Sequence, residues 1–249
     1  MPFHELFRHS PHQILEGALN VNEVFEHVAS LGNMSVLHRY EKYNSHIFDS
    51  LAFEYDDIGF TKLGGTFRRR TQMEQYQFLE HCTRLGLKVQ PTLAITETYT
   101  ENVYFENAQT LDEFLLNATS EQAERCTYDI FMDLHAAHNA GIVYGDRWEK
   151  NILIVRDVGL VHIDFDIEIS GPYAKEFEAA QIACYILAGT DDTIIPLLAN
   201  LLRTPYARLN IQILEKFLRG HARNYDHEHK YKNIENKLNA LIALIYAQE

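Results

Sequence analysis

The chain is poor in the residues that would staple a small fold or carry it through a membrane. It has three cysteines, Cys82, Cys126 and Cys184, odd in number, far apart and without a CxxC pair. That excludes a disulfide framework and points to a reducing compartment, where such thiols act as small buried hydrophobes. Long apolar runs are also missing. The longest, around residues 194–202, falls short of the roughly 18 residues a membrane span needs. Residues 1–17 carry charges and histidines and lack the apolar stretch of a secretory signal. Basic residues are scarce, 22 Lys and Arg against 35 Asp and Glu for a net charge of −13. This argues against broad nucleic-acid binding, which needs a cationic face. No repeat, low-complexity tract or Pro/Ser/Gly-rich linker interrupts the chain. The expectation is a cytoplasmic protein with no membrane span.

What remains is an ordinary globular balance. The 249 residues are 46% hydrophobic and 23% charged, enough for one large domain or two tightly joined small ones. The first third reads as strands, at 13–19, 22–29 and 33–40. Residues 45–65 mix aromatics with acids, end in Gly64-Gly65 and read as an insertion of undefined structure. A helix follows from Thr71, whose capping box is completed by Glu74, and stops at Gly86. Strands are expected at 89–95 and 102–105. Helices are expected at 110–117 and at 120–139 with Ser120 as cap. Two short strands, 152–155 and 161–163, flank the Asp157-Val158-Gly159 turn, and helices at 175–187, 190–202, 207–220 and 230–247 complete the chain.

The segment that carries chemistry runs from His138 through Tyr144-Gly145-Asp146-Arg147-Trp148-Glu149-Lys150-Asn151 to Asp164-Phe165-Asp166. A helix ends at Gly141, a loop presents Asp146, and Asn151 follows five residues later at the start of a hairpin that returns to Asp164. Such a hairpin aims an amide oxygen and a carboxylate at one point, a donor set suited to Mg²⁺. A loop carboxylate ahead of it is placed to orient a hydroxyl and accept its proton. These are the parts of phosphoryl transfer.

These two segments resemble the catalytic and metal-binding loops of the protein-kinase-like superfamily. The Gly145-Asp146 form and the final Asp166 are similar to atypical small members, the KEOPS-complex kinase, RIO-like kinases and the Kdo kinases of lipopolysaccharide core. Upstream, residues 14–25 resemble the phosphate-covering hairpin and include Gly17. Arg68-Arg69-Arg70-Thr71-Gln72-Met73-Glu74 resembles the start of the regulatory helix, and Leu85-Gly86-Leu87-Lys88-Val89-Gln90-Pro91 the segment before the next strand. Phe105, Glu106, Asn107 and Ala108 fall at the hinge. The resemblance covers residues 13–187.

It implies an α+β, bilobed kinase-like fold, with a β-rich lobe over 1–106 and a mainly helical lobe over 107–249. It implies ATP between the lobes and Mg²⁺ on Asn151 and Asp164. Asp146 would be the catalytic carboxylate and Glu74 an ion-pair partner for a strand-three cation, unless it is only a capping-box acid; Lys150, beside Asn151, reads as a phosphate contact or a solvated charge. Two departures stand out. Tyr144 replaces the usual loop histidine. His38 takes the place of the strand-three lysine, with Arg39, Lys42 and Lys62 as nearby basic alternatives. No long activation segment follows Asp166, which removes the usual platform for a peptide. The implied activity is transfer of the ATP γ-phosphate to a hydroxyl, in the manner of an atypical Ser/Thr protein kinase. The alternatives are a sugar or small-molecule kinase of the Kdo or aminoglycoside-phosphotransferase kind, a partner-driven ATPase and a pseudokinase scaffold. The acceptor is a protein or a small molecule, a protein partner is allowed, and direct nucleic-acid binding is not expected.

The 13 histidines have no matched ligand partners at tight spacing, so a transition-metal site is not expected. The Arg68–Arg70 run reads as a solvated flank or an anion-attracting patch.

Overall fold

The computed structural model describes residues 13–16, 19–29, 32–42, 45–204, 207–228 and 234–247. Strands β1 (Gln13–Glu16), β2 (Asn20–Ala29), β3 (Gly32–Glu41), β5 (Thr92–Ile95) and β6 (Tyr99–Val103) form one antiparallel sheet in the order β1-β2-β3-β6-β5. Helix α2 (Gln72–Arg84) packs on its β5–β6 side. The later part is helical: α3 (Leu111–Asn117), α4 (Ser120–Asn139), α5 (Ala174–Gly189), α6 (Ile195–Arg203), α7 (Ile211–Glu228) and α8 (Glu235–Ala247). Between α4 and α5 lie the hairpin β8 (Ile152–Val155) and β9 (Gly159–His162), joined at its edge by β7 (Gln109–Thr110). An antiparallel-sheet N-terminal region thus precedes a helical C-terminal part, the arrangement of a bilobed kinase-like fold. Among the described residues no helix is long and apolar enough to cross a membrane.

Local chemistry accounts for most of these elements. The Thr71 side chain accepts the Glu74 N–H while Glu74 reaches back to the Thr71 N–H, closing the expected capping box. Helix α4 uses Thr119 as its cap, not Ser120, because Gln122 three residues on completes a second box. Helix α5 is buried on nearly every face, with Glu176, Glu178 and Gln181 among its buried residues. The three cysteines are buried thiols outside any disulfide.

Four features differ from the sequence expectations. The stretch 45–65 is ordered: α1 (Ser45–Ile58) leads into a 3-10 turn, Thr61–Leu63. This segment packs on the helical part. Tyr55 meets Phe177 edge-on at 4.9 Å, and Phe60 lies 4.4 Å from Phe177. Gly220 admits Ile58, since a Cβ there would stand 2.8 Å from its methyl. The strand expected at 89–95 begins only at Thr92, because Pro91 has no N–H to give a ladder. Residues 88–90 pair with His162 instead. Strands β4 (Thr66–Arg69) and β10 (Ile167–Ser170), neither foreseen, form an antiparallel pair. The last two helices begin at Ile211 and Glu235, later than expected.

Candidate functional site

Helix α4 ends at a left-handed Gly141 (φ +80°), and an extended loop carries Asp146. A 3-10 turn, Glu149–Asn151, then feeds β8. The Asn151 side-chain NH2 donates to the Asp146 carbonyl at 3.1 Å, and its backbone carbonyl accepts the Ile163 N–H at 2.9 Å. Residue 151 therefore fixes both ends of the hairpin, and its side-chain oxygen is the group left for the cleft. Asp164 follows β9 with φ +56°, a strained left-handed geometry for a non-glycine residue.

Asp146, Lys150, Asn151 and Asp164 line one cleft of about 270 Å³. Asp166 joins them, and Leu19, Ile47 and Leu51 supply apolar wall. Arg39 reaches in from β3: its Nη2 lies 2.7 Å from Asp164 Oδ1 and 2.6 Å from Asp166 Oδ2. Burial raises the Asp164 carboxyl, but the Arg39 and Arg147 guanidiniums outweigh it and hold the group below the usual carboxylate range. For Asp166 burial wins over Arg39, and its carboxyl is pushed up to about 6. Burial opposes the charge on Arg39, yet the two carboxylates raise its pKa further still.

Asp146 is held by residues with no motif to announce them. Gln181 on α5 donates to Asp146 Oδ1 at 2.7 Å and accepts the Arg147 N–H at 2.7 Å. The Tyr55 hydroxyl, fully buried on α1, makes no hydrogen bond of standard geometry, yet it faces Asp146 closely enough that each perturbs the other's titration. Burial raises the Asp146 carboxyl, which makes it a better proton acceptor than an exposed carboxylate.

A buried polar shell stands behind the loop. Glu178 takes the Gly145 N–H at 3.0 Å and pairs with His138 at 2.7 Å. Tyr144, in place of the loop histidine, donates to Asp133 at 2.5 Å and packs its ring 4.7 Å from His162. Arg147 donates to the carbonyls of Ile163 (3.0 Å) and Asp164 (2.5 Å) and lies over the Phe165 ring.

Several expected site residues lie elsewhere. His38 faces away from the cleft, 2.8 Å from its cross-strand partner Glu101 and stacked on Tyr99. Neighbours on a strand point to opposite faces, so Arg39 and not His38 enters the cleft. The ion pair expected between Glu74 and a strand-three cation is not formed. Glu74 is half-exposed and bonds Arg68 (2.8 Å) and Thr71. Lys42 is near Glu16 at 3.5 Å, and Lys62 pairs with Asp56 at 3.1 Å. Phe105, Glu106, Asn107 and Ala108 link the sheet to β7. Ser35 bonds Glu106, and Asn107 turns the chain at φ +59°. Gly17 lies outside the described residues.

The Arg68–Arg70 run is a solvated flank at Arg68, whose side chain is 52% exposed, and turns inward after it. Arg68 bridges Glu74 and Glu168, and Arg69 bonds the Leu19 carbonyl. Arg70 is buried and donates to the carbonyls of Tyr144, Phe165 and Ile167.

No protein-family model matches the chain, and no curated protein matches it. Among solved structures it resembles the Rio2 kinase–ADP/Mg²⁺-phosphoaspartate complex from Chaetomium thermophilum, at 12% identity. That match covers 97% of this chain and 72% of that one with a TM-score of 0.46.

Proposed function

We propose that the chain is an ATP- and Mg²⁺-dependent phosphotransferase that moves the γ-phosphate of ATP to a hydroxyl acceptor. The observation that carries this reading is the meeting of Asp146, Asn151 and Asp164 in one cleft, with Arg39 bonded to Asp164. The donor set fits the metal. The Asn151 amide oxygen and the Asp164 carboxylate are hard oxygen ligands. Among the described residues no three His, Cys, Asp or Glu side chains are placed to hold a metal alone, so phosphate oxygens and water would complete the shell. When bound, Mg²⁺ supplies neutralisation of phosphate charge.

The chain's own residues then have distinct tasks. Asp146, fixed by Gln181, orients the acceptor hydroxyl and takes its proton as the new O–P bond forms and the bond to the β-phosphate oxygen breaks. Arg39 fills the role expected of a strand-three lysine, and Lys150 contacts phosphate from the cleft rim. The nucleotide lies between a sheet lobe (1–106) and a helical lobe (107–249), its base against the backbone of 105–108. A compact small-molecule acceptor fits better than a peptide, because Ile47 and Leu51 of α1 close one side of the cleft.

Mg·ATP is expected to raise the melting temperature, and Asp164→Ala to abolish that rise. A rise unchanged in Asp164→Ala would sink the metal assignment. Asp146→Asn should lose turnover of radiolabelled ATP while keeping the thermal response. Retained turnover would remove Asp146 from the chemistry.

A further inference from the structure

A second cavity, about 200 Å³, lies beside the catalytic loop between α3, α5 and α7. It shares no lining residue with the cleft. The loop divides them: Trp148 and Lys150 line the cleft, whereas Glu149 between them lines the second cavity. Gly189 at the end of α5 helps shape it, since a Cβ there would stand 2.9 Å from Leu115 of α3.

We propose that this cavity binds a small molecule bearing an alkylammonium or guanidinium group. Its polar lining is anionic and aromatic: Asp112, Glu113, Glu149, Tyr185 and Tyr225, with no Lys or Arg among the lining residues. Glu149 is only 8% exposed, and its Oε2 has no hydrogen-bond partner. A buried carboxylate oxygen without a partner is costly and rare in folded proteins. Asp112 and Glu113 each commit one oxygen to Thr110, at 2.5 and 3.0 Å, which leaves the other oxygen of each. Tyr185 and Tyr225 meet edge to face at 5.8 Å, and aromatic faces beside carboxylates favour organic cations. Three carboxylates exclude an anion. No cluster placed to ligate a metal occurs among the described residues, so an organic cation is the occupant. The inference stands apart from the phosphotransfer reading and uses none of its residues.

The test is the melting temperature of the full chain titrated with agmatine, with 1,4-butanediol and MgCl2 at matched ionic strength as controls. Agmatine should give a saturable rise of roughly 2–4 °C, and butanediol none. Glu149→Gln preserves shape and should lose the response, while Glu124→Gln, an exposed acid on α4, should keep it. Absence of a saturable rise, an equal rise in Glu149→Gln, or an equal rise with MgCl2 would each overturn the proposal.

Discussion

Arg39 is the single cation paired with the Asp164 and Asp166 carboxylates among the described residues. Its replacement by methionine has a calculable cost. The Arg39 side chain is 13% exposed and that of Asp166 5%, so the substitution leaves carboxylate charge in a largely dry place. Losing one partner of a buried pair costs about 3–5 kcal/mol. Asp164 keeps an N–H bond from Asp166 at 3.4 Å and the favourable field of Arg147, so the lower end, about 3 kcal/mol, applies. For a chain of this length that is a fall in melting temperature of about 6–12 °C. Arg39→Lys keeps a charge but not the planar fork that meets both acids, and should fall by about half as much. The assay is thermal unfolding in chelator-treated buffer, followed by the same scan with Mg·ATP. Arg39→Met should also lose most of the nucleotide response, while His38→Gln should keep it. A melting point for Arg39→Met within about 2 °C of the parent, or a response lost in His38→Gln instead, would refute the assignment of Arg39 to the cleft.

Gly145→Ala should be among the most damaging single changes in the loop. Gly145 has φ +113°, and a Cβ would drive into the Ile167 carbonyl oxygen. Strain alone is about 1–3 kcal/mol, read as a lower melting point with loss of ATP turnover. Tyr55→Phe keeps the ring contacts with Phe67 and Phe177 and removes only the hydroxyl facing Asp146. It should lower kcat by about tenfold with little change in the KM for ATP or in melting temperature; an unchanged kcat would remove Tyr55 from the site. Glu149 gives a pH signature. Its carboxyl rises from 4.5 to about 7 on folding, so the folded state binds the proton more tightly. That contribution is complete below about pH 4.5 and lost as pH rises through 7, worth about 3 kcal/mol. Glu149→Gln should therefore outlast the parent at pH 8 and flatten this part of the stability profile in denaturant titrations.

What the sequence made legible was local. Asp146, Asn151 and Asp164 are read from spacing because one loop and one hairpin place all three. The capping box of α2 follows from side chains three residues apart, whereas the cap of α4 falls on Thr119 and not on the expected Ser120. What it hid depends on distant partners. Strands of four residues such as β4 and β10 have little periodicity of their own, and their register joins residues about 100 positions apart. Gln181, Glu178 and Arg70 gain their roles only when α5 and β4 dock behind the loop. The choice between His38 and Arg39 is a one-residue question of strand face, and a one-residue error reverses the answer. Glu74 illustrates competition: the capping box was visible, and Arg68 and Thr71 engage the carboxylate on the outer surface. Helix α1 did leave a signal, since Ile47, Leu51, Tyr55 and Ile58 share a helical stripe. The acids among them and the exposed Phe53 on the other face blurred it.

That hidden helix changes how the cleft works. Besides the Arg39 pairs with Asp164 and Asp166, three further ties join the sheet region to the helical part. Arg70 N–H bonds the Asp166 carbonyl at 2.7 Å beside the β4–β10 pair. Residues 88 and 90 exchange backbone bonds with His162 at 2.6 and 2.9 Å. Helix α1 is pinned by Tyr55 and Phe60 against Phe177 and by Ile58 against Gly220. Opening the cleft by a rigid swing of one part would break backbone hydrogen bonds and uncover a packed aromatic cluster at once. Bistable closure needs an element with two comparable packings, and none of these ties offers a second. Ile47 and Leu51 are therefore fixed in the same cleft as Asp146, and in the proposed reaction they would form a preformed wall for the acceptor. Under the proposed phosphotransfer, α1 would set which hydroxyl can reach Asp146, through the side chains at 47 and 51.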